Sequence, residues 1–167
     1  LVSIRTGLDG QVKDDVAEVN DITSQIFQIN NSIVKIELTG QTANDFRDRR
    51  DVLLDNLSKL VGVSTTENAD GSINVSMGGQ VLVNGVVGKT DLVTVPNAGN
   101  SGYVDITYGS GGPAAAIGTS GIAGHLTARD TLVPKYQSQL DTIAANLITA
   151  TNTIHVTGFD TSGNPGG

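Results

Sequence analysis

Apolar residues recur every seven positions in two segments of the chain, one towards each end, and this spacing constrains the fold more than any other feature. A repeat of 3.5 residues is typical of long helices that bury one face against another helix. In the first segment the two rows are Val12, Val19, Ile26 and Ile33, and Ile22, Ile29 and Ile36. In the second they are Leu126, Val133, Leu140, Leu147 and Ile154, and Tyr136, Ile143 and Ala150. The spacing predicts helices over residues 12–38 and 122–156.

A further helix is predicted over residues 44–61, with Asn44 as its N-cap. Its apolar residues keep a helical period and are Phe46, Leu53, Leu57 and Leu60. Thr39 and Gly40 end the preceding helix, so the connection is short and the two helices should form an antiparallel hairpin. Pro134 lies inside the last predicted helix. Because proline lacks an amide proton and clashes with the preceding turn, we expect a kink or a restart there.

Glycine marks off the middle of the chain, since thirteen of the 21 glycines fall between Gly62 and Gly121. Here the apolar period changes from helical to two, which is typical of strands. The segments with this pattern are 63–67, 73–77, 81–83, 91–95 and 103–108. Asp70 and Gly71 indicate a hairpin turn between the first two, because glycine accepts the positive φ that such a turn needs. We expect a small antiparallel sheet of about five strands.

These segments together predict an α+β fold, a long-helix, coiled-coil-like bundle with an inserted small antiparallel β domain. Two helices alone would leave the apolar rows of the third in water, so the helical flanks should pack together. The predicted discontinuous helical bundle domain comprises residues 1–61 and 121–160, and the inserted β domain comprises residues 62–120. The glycine-rich tail at 161–167 is expected to be flexible.

Burial of all the apolar rows would have two measurable consequences. Truncation of a row residue, as in Leu140→Ala or Ile29→Ala, should lower the free energy of unfolding by roughly 2 to 5 kcal/mol. A bundle that buries its own rows leaves no long apolar stripe for a neighbour, so the isolated chain should be monomeric. Its net charge of -7 should also keep it soluble.

Charge and composition exclude several classes of function. Ten Lys and Arg stand against seventeen Asp and Glu, whereas a nucleic-acid partner requires a basic surface. The chain has no Cys, which excludes disulfides, thiol nucleophiles and thiolate metal sites. No apolar run approaches the ~18 residues of a membrane span, so we expect no membrane partner. The start at Leu1, without an initiating Met, favours a piece of a longer chain.

Two patterns imitate ligand sites, and each has a better structural explanation. Gly109, Gly111 and Ala114 have the spacing of a dinucleotide fingerprint, but no βαβ unit follows them, so a glycine-rich connector is the better interpretation. His125 and His155 lie on one predicted helix, tens of ångströms apart at ~1.5 Å per residue, and cannot share a metal. We expect no catalytic, cofactor-binding or metal-binding residues, and no cofactor.

Two clusters of polar residues each have a functional and a structural interpretation. Part of a calcium loop is imitated by Asn68, Asp70, Gly71 and Asn74. Met77 stands where a bidentate Glu should close such a loop, so the hairpin turn explains these residues better. A dense mixed-sign run consists of Arg47, Asp48, Arg49, Arg50, Asp51 and Asp55. It is either a solvated helix face, which we favour, or an interaction face in which Arg49 and Asp55 serve docking.

The order and spacing of three stretches are similar to those of a family of bacterial flagellar hook-associated proteins, the one at the junction between hook and filament. The stretches are RRDVLLDNLSKLVGVS, DGSINVSMGGQVLVNG and GIAGHLTARDTLVPKYQSQLDTIAANLITATNTIHVTGFD. The resemblance covers about residues 44–160. Its most specific elements are Arg49-Arg50-Asp51, Gly78-Gly79-Gln80 with Leu82-Val83, Arg129-Asp130 followed by Pro134, and the ending Asn152, His155 and Gly158.

The resemblance implies a structural axial component of the bacterial flagellum that joins hook to filament and has no enzymatic activity. It implies export in unfolded form through the flagellar type III apparatus and an extracellular location. The implied partners are copies of the chain itself in a ring, the hook protein and the second junction protein. An export chaperone is implied for a C-terminal part that is not in this sequence.

An alternative function is an extracellular adhesive or ligand-binding module that uses the β insert. Such modules usually place aromatic anchors in a concave site. Aromatic residues are few here, with Tyr103 and Tyr108 in the predicted strands and Phe159 after the last helix. The sequence therefore favours the structural function over the binding function.

Overall fold

The computed structural model describes residues 1–159 and Gly163. In this part of the chain the helices are α1 (Val2–Glu37), α2 (Asn44–Leu60), α3 (Gly121–Thr127) and α4 (Val133–Thr157). Long helices with a small antiparallel β region confirm the predicted α+β class. The tail expected to be flexible, 161–167, lies outside the described residues except for Gly163, as does Asp160 at the end of the predicted bundle.

The first helix begins ten residues before its predicted start at Val12. The apolar rows stop at Val12 because the preceding turns carry Arg5 and Asp9 on the face that meets the rest of the molecule. These side chains bond to Arg129 of the carboxy-terminal helical segment. Ion pairing thus takes the place of apolar packing in the first turns of α1. Apolar periodicity therefore does not predict these turns.

The connection between α1 and α2 is short, as predicted, but Asn44 does not cap α2. Gly40, three residues after the end of α1, has a φ of +81° and terminates the helical conformation. Ala43 occupies the N-cap position, and its side chain forms no capping hydrogen bond. Instead, the Ala43 amide donates to Oε1 of Glu37 at 3.4 Å. The end of α1 therefore supplies an acceptor for the amide of the cap residue, the role that a Glu or Gln at the third helical position has in a capping box.

The sequence predicts a kink or a restart at Pro134, and the structure has a π-helical turn just before this proline. A π-helical turn, Ala128–Leu132, joins α3 to α4, and Pro134 lies in the first turn of α4. The flanking residues Ala128 and Val133 have helical φ and ψ, so the chain continues from α3 into α4 without leaving the helix. The wider turn accommodates a proline, which cannot donate the usual helical hydrogen bond.

The middle of the chain forms six strands in two sheets, so the expectation of about five strands in one sheet is wrong. The strands are β1 (Ser64–Glu67), β2 (Ile73–Met77), β3 (Gln80–Asn84), β4 (Gly88–Lys89), β5 (Leu92–Pro96) and β6 (Val104–Tyr108). The first four pair antiparallel in the order β1-β2-β3-β4, and β5 pairs antiparallel with β6. The predicted hairpin turn between β1 and β2 is present, with a φ of +79° at Gly71.

One hydrophobic core joins the helices to the strands. The helices and their flanking residues contribute Val12, Val16, Val19, Ile22, Ile26, Leu57, Val61 and Ile122, and the strands contribute nine of the seventeen buried core residues. A smaller cluster of Ile29, Ile33 and Ala43 lies between α1 and α2. The apolar rows of α1 thus pack on strands as well as on helices. The prediction that three helices bury their rows only against one another is wrong.

The division into a helical bundle (1–61 and 121–160) and an inserted β domain (62–120) stays a prediction. Because the core is shared, we expect the two parts to unfold together. Replacing residues 62–120 by a short Gly/Ser linker should abolish cooperative thermal unfolding followed by far-UV circular dichroism. A helical protein that still melts cooperatively after this replacement would show instead that the bundle folds without the insert.

Candidate assembly interface

Helix α4 projects from the rest of the described molecule. Every residue from 135 to 157 is exposed, whereas Val133 at the start of the helix is buried. The predicted rows on this helix are therefore in solvent and are not in a bundle core. Burial of Leu140 is contradicted, and with it the predicted loss of stability on Leu140→Ala.

The exposed side chains form an apolar stripe along α4, here called the α4 stripe. It comprises Tyr136, Leu140, Ile143, Leu147, Ala150 and Ile154. Its five large members are between 56% and 72% exposed. The spacing of three and four residues places them on one face of the helix. Contiguous apolar surface of this kind is unusual on a soluble monomer and marks an interaction site.

An ionic cluster around the buried Asp9 and Arg129 holds the base of α4, and we call it the root cluster (Arg5, Asp9, Arg129 and Asp130). Arg129 is fully buried. Its Nη1 donates to Oδ1 of Asp9 at 2.7 Å, and its Nε and Nη2 donate to the two carboxylate oxygens of Asp130 at 2.8 Å each. A planar guanidinium is suited to this bidentate contact. The cluster connects α1 directly to the π-helical turn.

The root cluster also extends to the loop between β5 and β6. Arg5 donates from Nε to the carbonyl of Arg129 at 2.9 Å and from Nη2 to Oδ1 of Asn100 at 2.8 Å. The Arg5 guanidinium lies 4.5 Å from the centre of the Tyr103 ring, within the range of a cation–π interaction. The Val104 amide donates to Oδ1 of Asp9 at 2.8 Å. Three parts of the fold therefore determine the direction in which α4 leaves the core.

Both acids of the root cluster have a lowered pKa. Burial alone would raise the pKa of Asp9, but hydrogen bonds from Lys13 and from the Val104 amide, with the charges of Lys13 and Arg129, outweigh burial and lower it from 3.8. Burial also opposes the shift at Asp130, where the hydrogen bond from Arg129 lowers the pKa. A pKa that is lower in the folded state adds stability above the unfolded-state pKa. That stability is lost as the pH falls through the folded-state pKa.

We therefore expect the free energy of unfolding to decrease as the pH falls from about 5 to below 3.8. The measurement is urea denaturation at a series of pH values, followed by circular dichroism. Asp130→Asn should lower stability at pH 7 and flatten the acid dependence, because the variant has no carboxylate to protonate. Asp48→Asn, on the exposed side of α2, is the matched control and should leave the dependence unchanged. Identical acid profiles for Asp130→Asn and the unaltered protein would contradict the assignment.

The mixed-charge run on α2 separates into structural and exposed residues. Arg47 pairs with Glu37 at 2.8 Å and with Glu67 at 2.6 Å. Arg50 is buried and donates to the carbonyl of Gly71 at 2.8 Å. The remaining members of the run are exposed: Asp48, Arg49, Asp51 and Asp55. A solvated face thus describes only part of the run, and the docking role of Arg49 and Asp55 stays a prediction.

The candidate calcium loop is a turn. Oδ1 of Asp70 accepts from the amide and the hydroxyl of Ser72 at 3.0 and 2.6 Å, and these bonds lower the pKa of Asp70. Asn68 and Asn74 bond to each other's side chains. The polar atoms of the loop therefore bond within the turn. In residues 1–159 no three His, Asp or Glu side chains are grouped closely enough to hold a metal ion.

The other sequence candidates are also explained by local structure. Gly109 and Gly111 have positive φ, and Ala114 forms an isolated bridge with Thr107, so the chain turns back beside β6 here. Nδ1 of His125 lies 2.9 Å from Oδ2 of Asp15 on α1. His155 is exposed on α4. The structure brings none of these residues together.

Two asparagines on the apolar face of α1, Asn20 and Asn30, bond to the backbone of strands, and no sequence motif predicts this role. Buried Asn30 bonds to the backbone of Ile73 through both its amide nitrogen and its oxygen, at 2.8 and 3.2 Å. Asn20 makes the same pair of bonds to Leu92, at 2.8 Å each. An amide side chain on an apolar helix face is the signal that could have identified them, since a buried polar group must be paired. Both residues position strands on α1.

The predicted monomer assumed that every apolar row is buried, but the α4 stripe is exposed. We therefore expect the isolated chain to self-associate. Sedimentation velocity from about 5 to 100 µM should show a sedimentation coefficient that rises with concentration, because association buries the stripe. Leu140→Gln with Leu147→Gln should abolish the rise. Ser138→Gln with Asn152→Gln, on the opposite face of α4, is the control pair and should leave it unchanged. A constant monomer across this range would show that the stripe is too weak to associate.

The described helices include none that is long and apolar enough to cross a membrane.

Known proteins of similar sequence are flagellar hook-associated proteins. Flagellar hook-associated protein 1 of Salmonella typhimurium is 30% identical over 164 residues, which covers 93% of this chain and 30% of that protein. The Escherichia coli protein of the same name is 29% identical over 160 residues, with 90% and 29% covered. The Bacillus subtilis protein of that name is 26% identical over 196 residues, with 100% and 38% covered. The chain thus spans between 29% and 38% of the length of these relatives.

The fold has a solved relative in the flagellar hook junction protein FlgK from Burkholderia pseudomallei. The two structures superpose with a TM-score of 0.77 at 29% identity, over 98% of this chain and 31% of that one. The family described as "Flagellar hook-associated protein FlgK helical domain" matches residues 1–167. The resemblance seen over residues 44–160 is therefore confirmed and extends to the first helix. The chain belongs to the family of FlgK helical domains of flagellar hook-associated proteins.

Proposed function

We propose that this chain is the helical domain of a structural axial component of the bacterial flagellum, which joins hook to filament and catalyses no reaction. The observation that carries the proposal is the family match across all 167 residues. The exposed α4 stripe supports a structural role, because contiguous exposed apolar surface marks a site that packs against another protein segment.

The proposed partners follow from a position at the junction. Copies of the chain would form a ring, with the hook protein on one side and the second junction protein on the other. Export in unfolded form through the flagellar type III apparatus and an extracellular location belong to the same proposal, as does an export chaperone on a C-terminal part outside this chain. The absence of Cys supports it, since a chain that refolds outside the cell then has no thiols to mispair.

A genetic experiment in the source bacterium tests this function. Deletion of the full-length gene should give cells with hooks but without attached filaments, seen by electron microscopy. The unaltered gene should restore filaments. Filaments that remain attached to hooks in the deletion strain would overturn the proposal.

The role of the α4 stripe can be tested in the same strain. A gene with Leu140→Asp and Leu147→Asp should fail to restore filaments, because it places charge in the stripe. Ser138→Asp with Asn152→Asp adds the same charge on the opposite face of α4 and should restore them. Equal restoration by both pairs would show that a working protein does not need the stripe to be apolar.

The alternative, a binding module that uses the β insert, stays a prediction. The insert has a surface depression of about 260 Å³ beside β3 and β4. Val81, Val87 and Lys89 are among its lining residues. Such a lining lacks the aromatic anchors that dominate binding hot spots, so we do not adopt the alternative.

A further inference from the structure

The carboxy-terminal helical segment runs antiparallel to the first half of α1. Asp15 of α1 contacts His125 at 2.9 Å, and Asp9, further towards the amino terminus, contacts Arg129 at 2.7 Å. Arg5 contacts the carbonyl of Arg129 at 2.9 Å. Residue numbers thus decrease along α1 as they increase along α3 and the π-helical turn. The direction in which α4 leaves the root cluster is the direction in which α1 approaches Leu1.

Helix α4 continues well past the amino-terminal end of α1. Only four residues precede Arg5, whereas 28 residues follow Arg129 up to and including Thr157, the last residue of α4. Arg5 and Arg129 lie side by side. Measured from them at ~1.5 Å per residue, α1 extends about 6 Å towards Leu1 and α4 about 40 Å in the same direction. The α4 stripe lies on this overhang. The rows it belongs to begin with Leu126 and Val133, which are half-buried and buried at the level of α1.

The composition of α4 indicates how a partner is selected. Lys135, Asp141 and His155 are its basic and acidic residues. If the stripe rows are the a and d positions of a heptad, the flanking e and g positions are Gln137, Gln139, Ala144, Asn146, Thr151 and Thr153. Charges at those positions normally choose the partner of a coiled coil. Without such charges, apolar packing can hold a partner but cannot select it, so selection is best supplied by covalent connection, which gives a high effective concentration.

We propose that the α4 stripe is the docking face for another helical segment of the same polypeptide, outside these 167 residues, which lies in line with α1 and runs antiparallel to α4. The relatives provide chain for such a segment, since this sequence covers only 29% to 38% of their length. The occupant presents apolar residues in heptad spacing, to match the two rows of the stripe. The inference rests on the antiparallel register and not on the proposed location at the hook–filament junction.

The test is photocrosslinking in the full-length protein, carried out in dilute solution. The photocrosslinker benzoylphenylalanine replaces Leu147 in the stripe or, as a control, Asn152 on the opposite face. The protein is a mixture of unlabelled and isotope-labelled molecules, so mass spectrometry separates crosslinks within one molecule from crosslinks between two. We expect position 147 to crosslink at least tenfold more efficiently than position 152, within one molecule, to a segment that precedes Leu1.

Three results would overturn the proposal. Crosslinks that join labelled to unlabelled molecules would identify a second copy as the occupant. Crosslinks within one molecule to a segment after residue 167 would place the wrong part of the chain on α4. Equal, low crosslinking at both positions would show that the stripe is uncovered in the full-length protein. Circular dichroism of both variants, expected to match the unaltered protein, confirms that they are folded.

Discussion

Arg129→Met should lower the free energy of unfolding by about 3 to 5 kcal/mol, the range for breaking a buried ion pair by removing one partner. Methionine fills much of the space of arginine but leaves the buried carboxylate of Asp9 with only the half-exposed Lys13, at 2.7 Å, as a charged partner. It also removes both bonds to Asp130. The measurement is urea denaturation at pH 7, followed by circular dichroism.

Two further variants make the result specific to the charge. Arg49→Met, on the exposed face of α2, should change stability by no more than ~0.5 kcal/mol. The double variant Asp9→Asn with Arg129→Met should recover at least half of the loss. It removes the buried charge that has lost its guanidinium and keeps an acceptor for the amide of Val104. A loss below ~1 kcal/mol for Arg129→Met would show that the root cluster does not stabilise the fold.

Leu57→Ala should lower the free energy of unfolding by about 2 to 5 kcal/mol, because Leu57 is fully buried in the main core and its truncation leaves a cavity. Leu147→Ala is the same chemical change on the exposed α4 stripe and should cost less than ~0.5 kcal/mol. Both variants are measured by urea denaturation at low concentration, where association through the stripe is minimal.

This pair of variants separates burial from sequence pattern, since both leucines lie in apolar helical rows. Similar losses at the two positions would mean that α4 is packed in the isolated chain. The expected loss for Ile29→Ala stays a prediction, because Ile29 is buried between α1 and α2. Leu140 is exposed, so Leu140→Ala should have the same small effect as Leu147→Ala.

Local pattern was sufficient to predict most elements of the fold. The helical rows found α2 and the larger part of α1, and glycine with period-two alternation found the strands. Pattern failed in the first turns of α1, where Arg5 and Asp9 replace apolar residues. It also gave one sheet instead of two, because alternation identifies a strand but not the strand with which it pairs. In the structure β5 and β6 pair with each other, and Leu92 and Val104 each bond to α1, through Asn20 and Asp9.

The candidate site was predictable in composition but not in role. The rows on α4 were recognised as apolar, and the resemblance pointed to Arg129 and Asp130 without a reason for them. The structure supplies the reason, since Arg129 is the buried partner of an aspartate 120 positions earlier in the chain. No local spacing can encode such a pair, because each residue reads as an ordinary surface charge until the fold brings the two together.

By itself, the sequence determined that two helical segments enclose a β segment and that both helical segments carry apolar rows, because period and turn signals are properties of neighbouring residues. Only the tertiary structure decided which rows are buried. The rows of α1 meet α2 and the sheets, whereas no described element lies on the rows of α4 beyond Val133, so the same heptad pattern lies in solvent. The physical reason is that period determines which face of a helix is apolar, while length and register against other elements determine whether anything lies on that face.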